Sequence, residues 1–230
     1  MIRFLATGDW HGKRTYPFRV QAFAKSRDVD AILCIGDIVH KEGIDKAREL
    51  FREIKIPLFF VPGNTDPPEL ASYSEGNIVS VHGRTTVYQG ITIAGVGGTP
   101  PTPFDSTFIL QENEITTLLD KLTSTISHAP MILLTHAPPQ NTKLEVTWKR
   151  ERGGSQAIYQ YIIKYQPALV VCGHIHEAHG TQMLGKTLCV NTGSLPYAAI
   201  IEVKNTNFSC EPVRIPPSHA LGRDAEEFQN

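Results

Sequence analysis

Five apolar runs, rich in β-branched and large aliphatic residues and each ending in a polar cluster, constrain the fold of this chain more than any other feature. They are IRFLAT (2–7), AILCI (31–35), LFFV (58–61), MILLT (131–135) and ALVVC (168–172). Each is nearly continuous rather than alternating, which predicts strands covered on both faces. Helical patterns separate the first three: PFRVQAFAKSR from Pro17, and IDKARELFREI, where Ile44, Ala47, Leu50, Phe51 and Ile54 form one stripe. Ile115, Leu118, Leu119 and Leu122 mark another amphipathic helix, and Ser155 reads as the N-cap of a fourth running to about Tyr165. Residues 77–98 and 187–203 read as meanders of short strands punctuated by Gly, Asn and Pro. The expectation is one α/β domain over 1–217, with mixed sheets and helices outside. A polar, loosely ordered tail follows over 218–230.

The formal net charge is -1, with acids and bases nearly balanced. No global field therefore draws the chain to nucleic acid or to an anionic membrane, and any phosphate recognition has to be local. The apolar runs are too short to span a bilayer, and the start MIRFLATGDW lacks a secretory signal pattern. Cys34, Cys172, Cys189 and Cys210 show no C-x-x-C spacing, which reads as reduced thiols of a cytoplasmic protein. The sequon at Asn207 then carries no weight.

The polar clusters that close the five runs are GDWHG, GDIVH, PGNTD, HAPP and GHIH. Ligands of α/β sheets bind beyond the carboxyl ends of strands, so these turns can converge on one site. Singly, each is ordinary turn chemistry or a solvated histidine. Together they supply Asp9, His11, Asp37, Asn64, His136, His174 and His176. Seven oxygen and nitrogen ligands are too many for one tetrahedral zinc and enough for two divalent ions if one carboxylate bridges. Imidazole mixed with oxygen suits Mn, Fe, Zn or Ni better than Mg or Ca.

The order Asp9-x-His11, Gly36-Asp37, Gly63-Asn64, His136 and Gly173-His174-x-His176 resembles the calcineurin-like metallophosphoesterases. The continuation GHIHEAHGTQMLGKTLCVNTGS is similar to their prokaryotic Icc-like branch, also described as cyclic-nucleotide-phosphodiesterase-like. The resemblance implies a four-layer α/β/β/α sandwich. It also implies one metal on Asp9, His11, Asp37 and His176 and a second on Asp37, Asn64, His136 and His174, with Asp37 bridging. A hydroxide between the metals would then attack phosphorus in line.

One motif departs from that pattern. Strong phosphatases of the family read Gly-Asn-His-Asp, whereas this chain has Gly63-Asn64-Thr65-Asp66. A threonine hydroxyl cannot act as a general acid near neutral pH, a role worth roughly 100-fold to 10,000-fold. The expectation is an enzyme for esters whose leaving group needs little protonation, or one that recruits His40 or His179 as the acid. Asp66, freed from orienting that histidine, is expected to bond turn amides. Trp10 forms either a wall of the site or part of the core.

Three further segments need a reading. Residues 180–187 match G-x-x-x-x-G-K-T, but a strand follows where a P-loop needs a helix. GVGGTP (95–100) begins like a dinucleotide fingerprint and then meets Pro100 and Pro101, which suits a loop at the rim of the site. Lys149, Arg150 and Arg152 precede a helix N-cap and form either a substrate-phosphate clamp or a solvated loop.

The expected function is a dinuclear metal-dependent phosphohydrolase, preferring phosphodiesters or nucleotide-like substrates. The alternative is a metal-holding binding or scaffold module that turns over little because of Thr65. With no basic stripe, nucleic acid is not an expected partner. The short meanders leave edges at which a second copy could pair, so a homo-oligomer stays open.

Overall fold

The computed structural model describes residues 1–103, 105–124 and 130–220. Two mixed sheets stack face to face with helices on both outer sides. The first has seven strands in the order β13 (Asn207–Arg214), β12 (Tyr197–Lys204), β1 (Ile2–Thr7), β2 (Ala31–Cys34), β3 (Leu58–Phe60), β5 (Ile78–Ser80) and β4 (Ser74–Glu75). The second has six: β10 (Gly180–Leu184), β11 (Thr187–Asn191), β9 (Leu169–Cys172), β8 (Met131–Thr135), β7 (Ile91–Val96) and β6 (Thr85–Tyr88). The central strands β1, β2, β3 and β5, and likewise β7, β8, β9 and β11, run parallel. All five apolar runs lie among them.

Strand side chains alternate between faces, which divides the apolar residues into three layers. Leu5, Ile32, Cys34, Leu58 and Phe60 face outward onto α1 (Thr15–Ser26) and α2 (Ile44–Phe51), meeting Val20, Phe23, Ala47 and Leu50. Phe4, Ala6, Leu33, Phe59, Ile93, Ile132, Leu134, Val171 and Ile201 fill the space between the sheets. Leu133, Val170 and Cys172 pack on α3 (Glu112–Thr123) and α4 (Gln156–Tyr165) through Ile115, Leu119, Ile158 and Ile162. This is the expected four-layer α/β/β/α sandwich.

Ser155 caps α4 as expected, accepting from Ile158 N at 3.3 Å. α2 stops at Phe51, short of Ile54, which is nevertheless buried against the same core. Neither expected meander stays in one sheet. β5 belongs to the first sheet while β6 and β7 belong to the second, and β11 belongs to the second while β12 crosses to pair with β1. Both stretches are bridges that tie the sheets together at their ends. The P-loop lookalike is the β10–β11 hairpin, turning at Gly185 (φ +60°), so it opens no helix. Of the expected tail, Ser218–Ala220 form a 3-10 turn, and 221–230 lie outside the described residues. Among the described residues no helix is long and apolar enough to cross a membrane.

Candidate metal centre

The seven candidate ligands all stand on turns that leave the carboxyl ends of parallel strands β1, β2, β3, β8 and β9. Backbone hydrogen bonds lace these turns together. Asp9 N donates to Gly36 O and His11 N to Asp37 O, both at 2.8 Å, while His136 N donates to Val96 O and Gly173 N to His136 O at 3.3 and 3.1 Å. The glycines allow the close approach: a Cβ on Gly63 would sit 2.1 Å from Asp37 Oδ1, and one on Gly173 would sit 2.6 Å from Asp9 Oδ2. Asp9, His11, Asp37 and His174 have φ of +52°, +47°, +48° and +65°. Non-glycine residues visit this region rarely and at a cost, and such residues cluster where geometry serves function.

The turns bring ligand atoms into two overlapping groups, Asp9 with His11 and His176, and Asp9 with Asp37 and His136, each within 4.8 Å. His176 Nε2 lies 3.2 Å from Asp9 Oδ1 and 3.3 Å from His11 Nε2. Asp37 directs Oδ1 to His136 Nε2 at 3.5 Å and Oδ2 to His11 Nδ1 at 3.9 Å, one oxygen toward each half. Asn64 Oδ1 is 3.0 Å from His136 Nε2, and the rings of His136 and His174 are 5.2 Å apart.

The protonation pattern fits a cation. Asp9, Asp37 and His136 are almost wholly buried, and buried carboxylates need a counter-charge. Asp9 Oδ2 and His11 Nδ1 are buried without a hydrogen-bond partner among the described residues. His136 Nδ1 donates to Ile35 O at 2.6 Å, which orients the ring and turns Nε2 into the site. Burial opposes a proton on His136, but the Asp37 carboxylate outweighs it and raises the pKa to about 9. Burial and the charge on His136 push His174 down to about 4. A divalent ion would take the place of that proton on His136, since metal ligation needs a neutral imidazole.

The other expected site residues divide. His40 stands beside the centre, its exposed ring 5.8 Å from that of His11. His179 stacks on Tyr197 at 3.8 Å, with Nδ1 3.3 Å from His176 O. Thr65 donates its hydroxyl to Val39 O at 2.8 Å and its amide to Asp37 Oδ1 at 2.9 Å. Asp66 accepts from Val39 N and Gly63 N, the turn-bonding role expected of it. Trp10 is fully buried in the core beneath α1 and α2, so it does not wall the site. GVGGTP packs on the third motif, with Gly98 N donating to Pro62 O at 2.8 Å.

Lys149 and Arg150 are exposed on a turn, whereas Arg152 pairs with the fully buried Glu145 at 2.6 Å. The α4 N-terminus is already filled: Glu112 accepts from Ser155 Oγ, Gln156 N and Ala157 N. The helix end invoked for a phosphate clamp is therefore occupied by a side chain.

Two residues that sequence reasoning missed hold this face in place. Asn191 Nδ2 donates to Leu144 O, Gly173 O and Ile175 O, and its Oδ1 accepts from Gly193 N, which ties the His174–His176 turn to its neighbours. Ser194 Oγ donates to Asp9 O at 3.0 Å. The Asn-Thr-Gly-Ser stretch was visible as a turn, but nothing local marked its side chains as supports.

A model of the calcineurin-like phosphoesterase family matches residues 2–178. The chain belongs to this family. It is a phosphoester hydrolase of a metal-dependent class, with Asp and His groups placed to hold metal. The Methanocaldococcus jannaschii protein MJ1162 is 30% identical over 213 residues, spanning 89% of this chain and 94% of its own. Among solved structures, TT1561 of Thermus thermophilus aligns with TM-score 0.72 at 21% identity, covering 94% of this chain and 99% of that one. A dimetal phosphatase from Danio rerio aligns with TM-score 0.63 at 12% identity, covering 94% and 99%. At these identities the two structures speak to the fold of this phosphoesterase.

Proposed function

We propose that this phosphoesterase is a dinuclear phosphodiesterase acting on small, nucleotide-like phosphodiesters, with Asp37 bridging the two metals. The observation that carries the reading is the Asp37 carboxylate, which turns one oxygen toward the His11 side and the other toward His136. Asp9, His11 and His176 make up the rest of one half, and Asn64, His136 and His174 the rest of the other. The set suits Mn, Fe, Zn or Ni. Divalent ions held there would supply a nucleophile from water at neutral pH and offset charge on the phosphoryl oxygens.

The diester preference rests on the resemblance of GHIHEAHGTQMLGKTLCVNTGS to the Icc-like branch and on the lack of an acid for the leaving oxygen. Thr65 is tied to Val39, and Asp66 is spent on backbone amides, so the third motif offers no acid for a leaving oxygen. His40, exposed and beside His11, is the better placed substitute. His179 has one ring face taken by Tyr197. Lys149 and Arg150 are the candidate phosphate contacts with exposed head groups, and Arg152 serves the Glu145 anchor. All four cysteines are free, which supports a reducing, cytoplasmic setting.

The test is the initial rate of bis-p-nitrophenyl phosphate hydrolysis by stripped protein reloaded with Mn, beside Asp37→Asn. This diester has an acidic leaving group, so Thr65 should not handicap it. A Mn-dependent rate abolished in the variant is expected. Bound Mn without a rate above the variant would leave a metal-holding binding module instead.

A further inference from the structure

Next to the metal centre lies a groove of about 320 Å³, walled on one side by Lys143, Val146 and Trp148 and on the other by Glu177 and His179. It adjoins the centre through the short turn His176–Ala178, whose first residue is a candidate ligand. Trp148 lines it while 86% exposed. Large aromatic rings are usually buried, and an exposed indole beside a concave surface offers a face for stacking.

The walls are held from behind. Trp148 N donates to Glu177 Oε1 at 2.8 Å, joining the two sides, and Lys143 N donates to Gln182 Oε1 at 2.9 Å. Buried Glu145 ties down the loop between them through Asn141 N, Gly154 N and Arg152. The backbone of the groove is thus fixed while its one large aromatic side chain stays open.

We propose that this groove is the subsite for the base of a nucleoside-containing phosphoester, with the ring stacked on Trp148 and the phosphate at the metal centre. The inference rests on the phosphohydrolase reading and deepens it by assigning a place for the base of the nucleotide-like substrate. The volume lies at the low end of the roughly 300–1,000 Å³ typical of ligand pockets, which suits a nucleoside rather than a larger partner. The lining combines an aromatic face, the aliphatic Val146, the Lys143 ammonium and the Glu177 carboxylate. A base and ribose would use all of these: a π-face, donors and acceptors. Stacking on an indole tolerates any base, so the groove selects nucleosides as a class.

The chain has two tryptophans, and Trp10 is fully buried, so quenching by an added base reports on Trp148. The Mn-loaded protein is titrated with AMP and with ribose 5-phosphate, following heat and tryptophan emission, in wild type, Trp148→Leu and Trp148→Phe. AMP should bind at least roughly 10-fold more tightly than ribose 5-phosphate and quench the wild-type emission. Trp148→Leu should erase that difference, and Trp148→Phe should restore most of it. Equal affinity for the two ligands, or an unaltered preference in Trp148→Leu, would overturn the assignment. Diester turnover by the same wild-type preparation reports separately on the phosphohydrolase reading. Loss of turnover with a Trp148-dependent AMP preference would sink that reading and leave the subsite.

Discussion

The hydroxyl of Thr65 donates to Val39 O at 2.8 Å, and its side chain is nearly buried, so the position that carries the family's histidine is here a turn-holding residue. Replacing Thr65 with His removes that bond, at a cost of about 1 kcal/mol, and places an imidazole next to Asp37 and Asn64. The account predicts a gain on diesters with poor leaving groups, up to the roughly 100-fold a positioned acid supplies, with little change on bis-p-nitrophenyl phosphate. Parallel kinetics on the two ester types check this, and an equal effect on both would count against it. Asn191 acts at the same scale. Asn191→Leu leaves three buried carbonyls with one donor fewer and loosens the turn bearing His174 and His176. A loss of about 10-fold to 100-fold in Mn affinity is expected by calorimetry, as for other supports behind metal ligands.

At the scale of elements, one side chain of α3 caps α4, while α3 is capped by its own Gln111–Glu114 box. Glu112, in the first turn of α3, also closes the N-terminus of α4 by accepting from Ser155 Oγ, Gln156 N and Ala157 N. Glu112→Ala should destabilise the protein by roughly 1–2 kcal/mol in urea unfolding while leaving Mn affinity unchanged. A shift in affinity as large as that in Asn191→Leu would show that the helical layer, not the turns alone, holds the site.

Five of the eight parallel strands were legible because burial on both faces leaves a continuous apolar run, whereas β5, β7 and β11 lay in stretches read as meanders. β13 was not legible, since NFSCEPVR is an edge strand, largely exposed, and its Pro212 reads as a strand breaker in sequence. Which sheet a short strand joins was equally hidden. β11 and β12 are separated by a five-residue turn, yet they part because β12 pairs with β1 in the first sheet, a long-range pairing with no local signal. The candidate ligands were readable at the ends of strands. The supports Asn191, Ser194 and Glu145 were not, because their hydrogen bonds reach distant backbone.

At the scale of the whole molecule, the sandwich gathers five separate turns into one acid-containing cluster in which, among the described residues, Asp9 and Asp37 form ion pairs only with histidines. Folding without metal leaves Asp9 and Asp37 to be neutralised by His136 and His176. Cation binding to the native state should therefore stabilise it, by about 2.7 kcal/mol when free metal stands at 100 times its Kd. The most direct test of the account is a calorimetric Mn titration of stripped protein with metal content counted in parallel. About two ions per chain, with at least one lost in Asp37→Asn, is the predicted result. One ion per chain, or a stoichiometry indifferent to Asp37, would contradict a centre bridged by that carboxylate.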